Sequence, residues 1–126
     1  MNFPEELKYS ERHVWISFEG DIGLVGITDF AQEELGEIMF VDLPEIGSIA
    51  EADDSVAEVE SSKSVSEIYT PVSGEIIEVN EQLSEEPDLI NSSPYEEGWI
   101  FKIHVSNINE TKDLISNDEY KEFINE

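Results

Sequence analysis

Short runs of apolar residues, many of them alternating with polar ones, make up most of the chain and are separated by turn residues. Alternation every second residue, with many β-branched and aromatic side chains, is typical of half-buried strands. Pro44 and Pro71 end two of the runs, because proline has no backbone N–H to give to a strand pair. The pattern predicts a mainly β core over about residues 13–105, with strands at 13–18, 22–27, 38–43, 55–60, 65–70, 74–80 and 99–105.

Residues 28–36 do not follow the two-residue alternation of the predicted strands. This segment reads as one short internal helix, with Thr28 or Asp29 as the N-terminal cap and Gly36 as the residue that ends it. Serine, threonine and aspartate accept hydrogen bonds from the first free N–H groups of a helix, and glycine tolerates the left-handed conformation after its end. The sequence therefore places one helix between two predicted strands.

The C-terminal part, about residues 107–126, is helical in pattern. Ser116 stands three residues before Glu119, the spacing of a capping box. Tyr120, Phe123 and Ile124 then form an apolar stripe at helical spacing. We expect this stripe to dock the helix on the core.

An internal similarity links two of the predicted strands. The segments GEIMFV (36–41) and GEIIEV (74–79) share Gly, Glu, Ile and Val at equivalent positions. Two such halves packed face to face would form a flattened barrel or a sandwich of short strands. Two copies are too few for a solenoid.

The composition narrows the possible partners. A chain of 126 residues forms one domain of ordinary size. With 31 acidic and 6 basic residues, its formal charge of −25 repels the phosphates of nucleic acids and the anionic surface of membranes. The acidity either steers the protein towards basic patches on other proteins or adapts it to salt, and composition alone leaves both readings open.

Cysteine is absent, so any redox chemistry must come from an attached group. The first residues contain no basic region followed by an apolar run, and no stretch is long enough to span a bilayer. We therefore expect a cytoplasmic protein. The two histidines lack a supporting nucleophile motif, and no calcium-loop pattern accompanies the acidity.

Lys63 is the only lysine or arginine between Arg12 and Lys102. It lies in a small polar turn, next to Ser62 and Ser64, between two predicted strands. An unmodified lysine is almost fully protonated near neutral pH, since its reference pKa is about 10.4. Lys63 is thus a poor nucleophile by itself, but an enzyme that reaches the turn from outside could acylate it. The alternative is an ordinary surface lysine.

Four blocks, in order and spacing, resemble the glycine cleavage system H-protein family, and the similarity extends over essentially the whole chain. The blocks are GITDFAQ (26–32), FVDLPEIG (40–47), ESSKSVSEIYTPVSGEIIEVN (60–80) and LINSSPYEEGW (89–99). The resemblance implies a barrel-sandwich hybrid of two small antiparallel sheets, of the lipoyl/biotinyl-carrier type, with C-terminal helices. It also implies that Lys63 carries lipoic acid in amide linkage.

The family resemblance implies a carrier protein rather than an enzyme. Such a protein takes an aminomethyl group from the glycine decarboxylase to the aminomethyltransferase, and then presents the reduced dithiol to dihydrolipoyl dehydrogenase. A lipoyl ligase or lipoyl transferase would load it, and we expect a monomer. The alternative is an H-like relay protein that passes its lipoyl group to other complexes. Residues expected to contact the arm or a partner are Glu11, His13, Glu60, Ser61, Ser62, Ser64 and Glu67.

One position departs from the family pattern. The family usually reads His-Glu-Trp where this chain has His13-Val14-Trp15. The family glutamate is associated with the cationic amino group of the loaded arm, and valine can neither accept that hydrogen bond nor balance that charge. Either another carboxylate replaces it, with Glu11 and Glu67 as candidates, or this is an H-like paralogue with different cargo.

Other carrier classes fit less well. A biotin carrier would show Met-Lys-Met at the turn, and a lipoyl domain of a 2-oxoacid dehydrogenase usually shows Asp-Lys-Ala, whereas Lys63 has serine on both sides. An acyl carrier needs a helix-borne Asp-Ser-Leu. The similar segment at Asp54, Ser55 and Val56 lies next to a strand pattern instead.

Overall fold

The computed structural model describes residues 1–125 and contains two antiparallel sheets with short helices between and after the strands. The larger sheet has the order β1-β2-β3-β9-β8-β5, and the smaller one has the order β4-β6-β7. The strands are β1 (Lys8–Tyr9), β2 (Val14–Glu19), β3 (Ile22–Ile27), β4 (Ile38–Asp42), β5 (Ile49–Ala50), β6 (Ser55–Ser61), β7 (Val65–Tyr69), β8 (Gly74–Val79) and β9 (Phe101–Val105). The helices are α1 (Asp29–Leu35), α2 (Leu89–Ser92) and α3 (Asn117–Phe123), with 3-10 turns at Glu81–Ser84 and Ile108–Asp113.

The main core lies between the two sheets. Buried side chains of the larger sheet, such as Ile16 and Ile103, belong to the same apolar cluster as Val59 and Ile68 of the smaller sheet. Alternation along each strand sends these residues inward and their neighbours outward. The prediction of a mainly β fold of two antiparallel sheets is confirmed. Over residues 1–125 the sheets form a sandwich and do not close into a barrel.

A second core cluster fixes the C-terminal helix. Ser116 caps α3 in the predicted capping box with Glu119. Tyr120 is fully buried, and its ring stacks on Tyr9 with centroids 5.1 Å apart. The apolar stripe docks mainly through this residue, because Phe123 stays 45% exposed. The predicted helical segment thus contains a 3-10 turn followed by α3, and its last residue, Glu126, lies outside the described residues.

The sequence pattern missed four short elements and started one strand two residues too early. β1 and β5 have two residues each, and α2 and the 3-10 turn Glu81–Ser84 have four, too few to show a period. The strand predicted from residue 99 begins at Phe101. Asn80 explains the later start, because its amide Nδ2 donates to the carbonyls of Glu97 and Trp99 at 2.8 Å, holding that segment as a loop.

The internal similarity places equivalent residues in different sheets. Gly36 precedes β4 of the smaller sheet, whereas Gly74 begins β8 of the larger one. In both copies the isoleucine two residues later is buried, Ile38 at 1% exposed and Ile76 at 0%. The repeated segment therefore supplies one buried, inward-facing isoleucine to each layer of the sandwich.

None of the helices found between residues 1 and 125 is long and apolar enough to cross a membrane.

Candidate functional site

The β6–β7 hairpin presents Lys63 at its tip. Ser61, which is only 8% exposed, organises the turn. Its Oγ accepts hydrogen bonds from the backbone N–H groups of Lys63 and Ser64, each at 3.1 Å, and its N–H donates to the Ser64 carbonyl at 2.8 Å. The Ser62 N–H donates to the Glu37 carbonyl at 3.1 Å. The turn backbone is therefore held firmly, while the side chain of Lys63 is exposed.

Gly36 leaves room for the methylenes of Lys63. A Cβ atom at position 36 would lie 3.4 Å from Lys63 Cε and 3.7 Å from its Cδ. Gly36 also has a positive φ of 79°, and its N–H donates to the Gln32 carbonyl to close α1. The lysine side chain consequently lies beside the C-terminal end of α1, and the same glycine ends the helix.

A cleft of about 180 Å³ extends along α1 on the side of the smaller sheet, and we call it the α1 cleft. The first β7 residue in its wall is Ser66, three positions after Lys63 in the chain. Because β7 is an edge strand, its outer side is open to this space. Lining residues include Phe30, Ala31, Glu34 and Leu35 of α1, with Ser66 and Ile68 of β7.

His13 forms one end of the α1 cleft. Its backbone has a φ of 68°, a left-handed conformation that is uncommon for a residue with a side chain. Its Nδ1 lies 2.7 Å from the Tyr120 hydroxyl, which lies 2.8 Å from Thr28 Oγ1. Thr28 Oγ1 in turn accepts from the N–H of Ala31 and caps α1. His13 is thus both a packing residue and a wall of the cleft, linked to α3 and to the start of α1.

Burial lowers the pKa of His13, and the negative charge of Glu34 offsets part of this effect. The unfolded chain binds a proton at this imidazole as the pH falls below about 6.5, before the folded protein does. Stability contributed by the neutral histidine is therefore present above pH 6.5 and is lost as the pH falls towards the lower folded value.

We expect the His13→Gln variant to lose less stability than the wild type between pH 7 and pH 5.5. The measurement is the thermal midpoint of both proteins over this range. The charged or titratable groups that share the cleft with the imidazole or contact it are Arg12, Glu34, Glu67 and Tyr120. All four are present in both proteins, so the difference between the two curves reports on the imidazole. Parallel curves would contradict the expected linkage.

Glu11 and Glu67, two carboxylates predicted to contact the arm, do not provide an unengaged carboxylate in this cleft. Glu67 lines it, but its Oε1 accepts from the Ser55 hydroxyl at 3.1 Å and its Oε2 accepts from the Tyr69 hydroxyl at 3.0 Å. Glu11 lies in a separate depression that it shares with Asp113.

Sequence reasoning missed Glu34, which lines the α1 cleft and is exposed. The signal that could have indicated it was its helical spacing of four residues from Phe30.

The remaining predicted contact residues lie around the lysine rather than in the cleft. Ser62 and Ser64 are exposed on either side of Lys63. Glu60 is exposed on the outer face of the smaller sheet, opposite Phe40 on one side and Val65 on the other. These positions are accessible to an enzyme that approaches the hairpin tip.

Val14 is 1% exposed and lies in the main core cluster with Ile27 and Ile68, two residues that also line the α1 cleft. It therefore packs beneath the cleft. A glutamate at this position would have to bury a carboxylate or displace its neighbours, which costs several kcal/mol for an unpaired charge. The difference from the usual family residue is thus accommodated by apolar packing.

Comparisons with known proteins agree over the whole chain. The family model of the glycine cleavage H-protein matches residues 7–126. A glycine cleavage system H protein of Halalkalibacterium halodurans is 54% identical over 125 residues, which is 99% of this chain and 98% of the relative. One from Bacillus cereus is 48% identical over 126 residues, 100% of this chain and 99% of the relative. The crystal structure of a glycine cleavage system H protein from Mycobacterium marinum superposes with a TM-score of 0.90 at 35% identity, covering 98% of this chain and 100% of that one. This chain belongs to the glycine cleavage H-protein family.

Proposed function

We propose that this protein is the lipoyl-bearing shuttle of the glycine cleavage system and that Lys63 carries the lipoyl group. It takes the aminomethyl group from the glycine decarboxylase to the aminomethyltransferase, and then presents the reduced dithiol to dihydrolipoyl dehydrogenase. The observation that supports this most strongly is the display of Lys63 at an ordered hairpin tip in a chain that matches the family from end to end. It acts as a carrier and co-substrate, not as an enzyme.

The residues around Lys63 fit a lipoyl group. The amine is exposed on small neighbours, Ser62 and Ser64, so a lipoyl ligase or transferase can enclose it. Amide formation removes one positive charge and leaves the turn hydrogen bonds of Ser61 unchanged, because these involve only backbone groups of its neighbours. When bound, the lipoyl group supplies the disulfide that this cysteine-free chain lacks.

The α1 cleft is the proposed resting place of the loaded arm. Its wall includes Ser66, three positions after Lys63, and Leu35, next to the glycine that Lys63 contacts. Phe30, Leu35 and Ile68 give it apolar walls that exclude water from an aminomethyl cargo prone to hydrolysis. The arm would lie along α1, whose capping residue Thr28 is linked to His13 through the Tyr120 hydroxyl.

Peptide mass spectrometry after cleavage at glutamate, which separates Lys63 from Lys102, tests the attachment in protein from a lipoate-replete host. We expect one lipoyl adduct, on the peptide that contains Lys63. Lys102 provides the control, because it lies on β9 and its Nζ is paired with Glu78 Oε1 at 3.4 Å. An adduct at Lys102 or another lysine, with Lys63 free, would overturn the assignment.

The acidic outer face of the smaller sheet supports docking on basic partners. Asp42, Glu58 and Glu67 lie directly opposite one another across the three strands of the smaller sheet, and all are exposed. Like charges in such positions destabilise a sheet, which favours a role for them in recognition. We propose a soluble cytoplasmic monomer that is steered electrostatically to its enzymes.

Association with the glycine decarboxylase should therefore slow by about tenfold or more as salt rises from low to physiological levels, where the screening length is about 8 Å. Stopped-flow measurement of the association rate at several salt concentrations checks this. A rate that stays constant would assign the acidity to solubility or to salt adaptation.

A further inference from the structure

We propose that Glu34 is the carboxylate that holds the cationic amino group of the cargo in the α1 cleft. This inference rests on the proposed function, since it requires an aminomethyl group on an arm attached at Lys63. It assigns to α1 the part that the usual family glutamate at position 14 cannot perform here, because that position is a buried valine.

The position of Glu34 on the helix is the first argument. Phe30, Ala31, Glu34 and Leu35 all line the cleft, and residues with this spacing share one face of a helix. Three of these side chains are apolar and form the wall against which the methylenes of an arm can pack. Glu34 supplies the carboxylate of that face, so the face offers apolar contacts for the arm and a negative charge for its cation.

The availability of its carboxylate is the second argument. Within residues 1–125, Glu34 takes part in no side-chain hydrogen bond and no ion pair. Glu67, by contrast, already accepts from the hydroxyls of Ser55 and Tyr69. A cation that paired with Glu67 would compete with two existing hydrogen bonds, whereas one that paired with Glu34 would lose only water.

The other basic groups that line the cleft, Arg12 and His13, do not occupy the Glu34 carboxylate. Arg12 also lines the cleft, but its guanidinium lies 4.3 Å from the centre of the Tyr69 ring and its Nε lies 3.7 Å from Asp53 Oδ1. Both of these contacts engage the arginine with residues outside α1. Burial lowers the pKa of His13, which favours the neutral imidazole and so removes a competing positive charge beside Glu34.

The test compares the loaded wild type with Glu34→Gln and with the matched control Glu33→Gln. Glu33 is exposed on the same helix, faces a different depression and changes the net charge equally. We expect cargo loss to water, measured without the aminomethyltransferase, to be about fivefold faster in Glu34→Gln and unchanged in Glu33→Gln. Equal decay in Glu34→Gln and the wild type would overturn the proposal, as would acceleration by Glu67→Gln alone.

A second readout does not depend on turnover. Carboxylate NMR resonances of the wild type, compared before and after loading at constant pH, should move for Glu34 when the cation binds and stay in place for Glu33. An unchanged Glu34 resonance would contradict the contact. If none of the variants can be lipoylated and loaded, the proposed function itself fails and the Glu34 inference falls with it. Normal loading with equal decay rates rejects Glu34 alone.

Discussion

Replacement of Lys63 by arginine is expected to abolish lipoyl attachment and glycine cleavage while leaving the fold intact. Arginine keeps the charge but cannot form the amide, so no arm is attached. The side chain is exposed and the turn is held by Ser61, so the free energy of unfolding should change by no more than about 0.5 kcal/mol. This corresponds to a shift of about 2 °C or less in the thermal midpoint.

The assay is lipoylation by a lipoyl ligase, followed by glycine oxidation with the three partner enzymes. Lys102→Arg serves as the control and should retain full lipoylation, since Lys102 lies in β9 beside Glu78. Residual activity of Lys63→Arg, or loss of cooperative unfolding, would show that the lysine is not the attachment point or that it supports the fold.

The largest expected effect on stability is that of Gly74→Ala. A Cβ atom at this position would lie only 2.1 Å from the carbonyl oxygen of His104, and backbone cannot move aside as a flexible side chain can. Gly74 begins β8 and pairs with Val105 of β9, so relief of the clash would disturb the β8–β9 pairing of the larger sheet. We expect a loss of about 3 kcal/mol or more in the free energy of unfolding.

Gly20→Ala is the matched control for Gly74→Ala. Gly20 has a positive φ of 64°, but a Cβ there would meet no atom within 4 Å. We expect a loss of only about 1–2 kcal/mol, from backbone strain alone. Urea unfolding of both variants separates the two causes. Equal losses would mean that the close approach at Gly74 does not determine its identity.

The fold followed from the sequence wherever an element was long enough to show a period. β2, β3 and β6 each have six or seven residues, and the predicted strands at these places agree with them. Capping chemistry located both α1 and α3, because Thr28 and Ser116 accept the predicted hydrogen bonds. The pairs β1–β2 and β5–β8 depend on contacts distant in the chain, which no local pattern encodes.

The site was only partly predictable for a similar reason. The isolated Lys63 in a serine turn indicated the attachment point, but nothing local indicated that Ser61 would direct its side chain inward and hold the turn. Glu34 and Glu67 look alike in the sequence, and their difference arises from β6 and β7, which bring Ser55 and Tyr69 to Glu67. Burial of Val14 likewise depends on residues distant in the chain, such as Ile68 of β7, that share its core cluster.

The most direct test of the central claim is the mass of the arm during a single round of loading. Lipoylated wild-type protein is incubated with the glycine decarboxylase, its cofactor and isotopically labelled glycine, and the Lys63 peptide is then analysed. The account predicts that the labelled methylene carbon and nitrogen of glycine appear on the lipoyl group of this peptide and leave it when the aminomethyltransferase and tetrahydrofolate are added. A lipoylated Lys63 peptide that never acquires the label, although the decarboxylase is active with another H-protein, would contradict it.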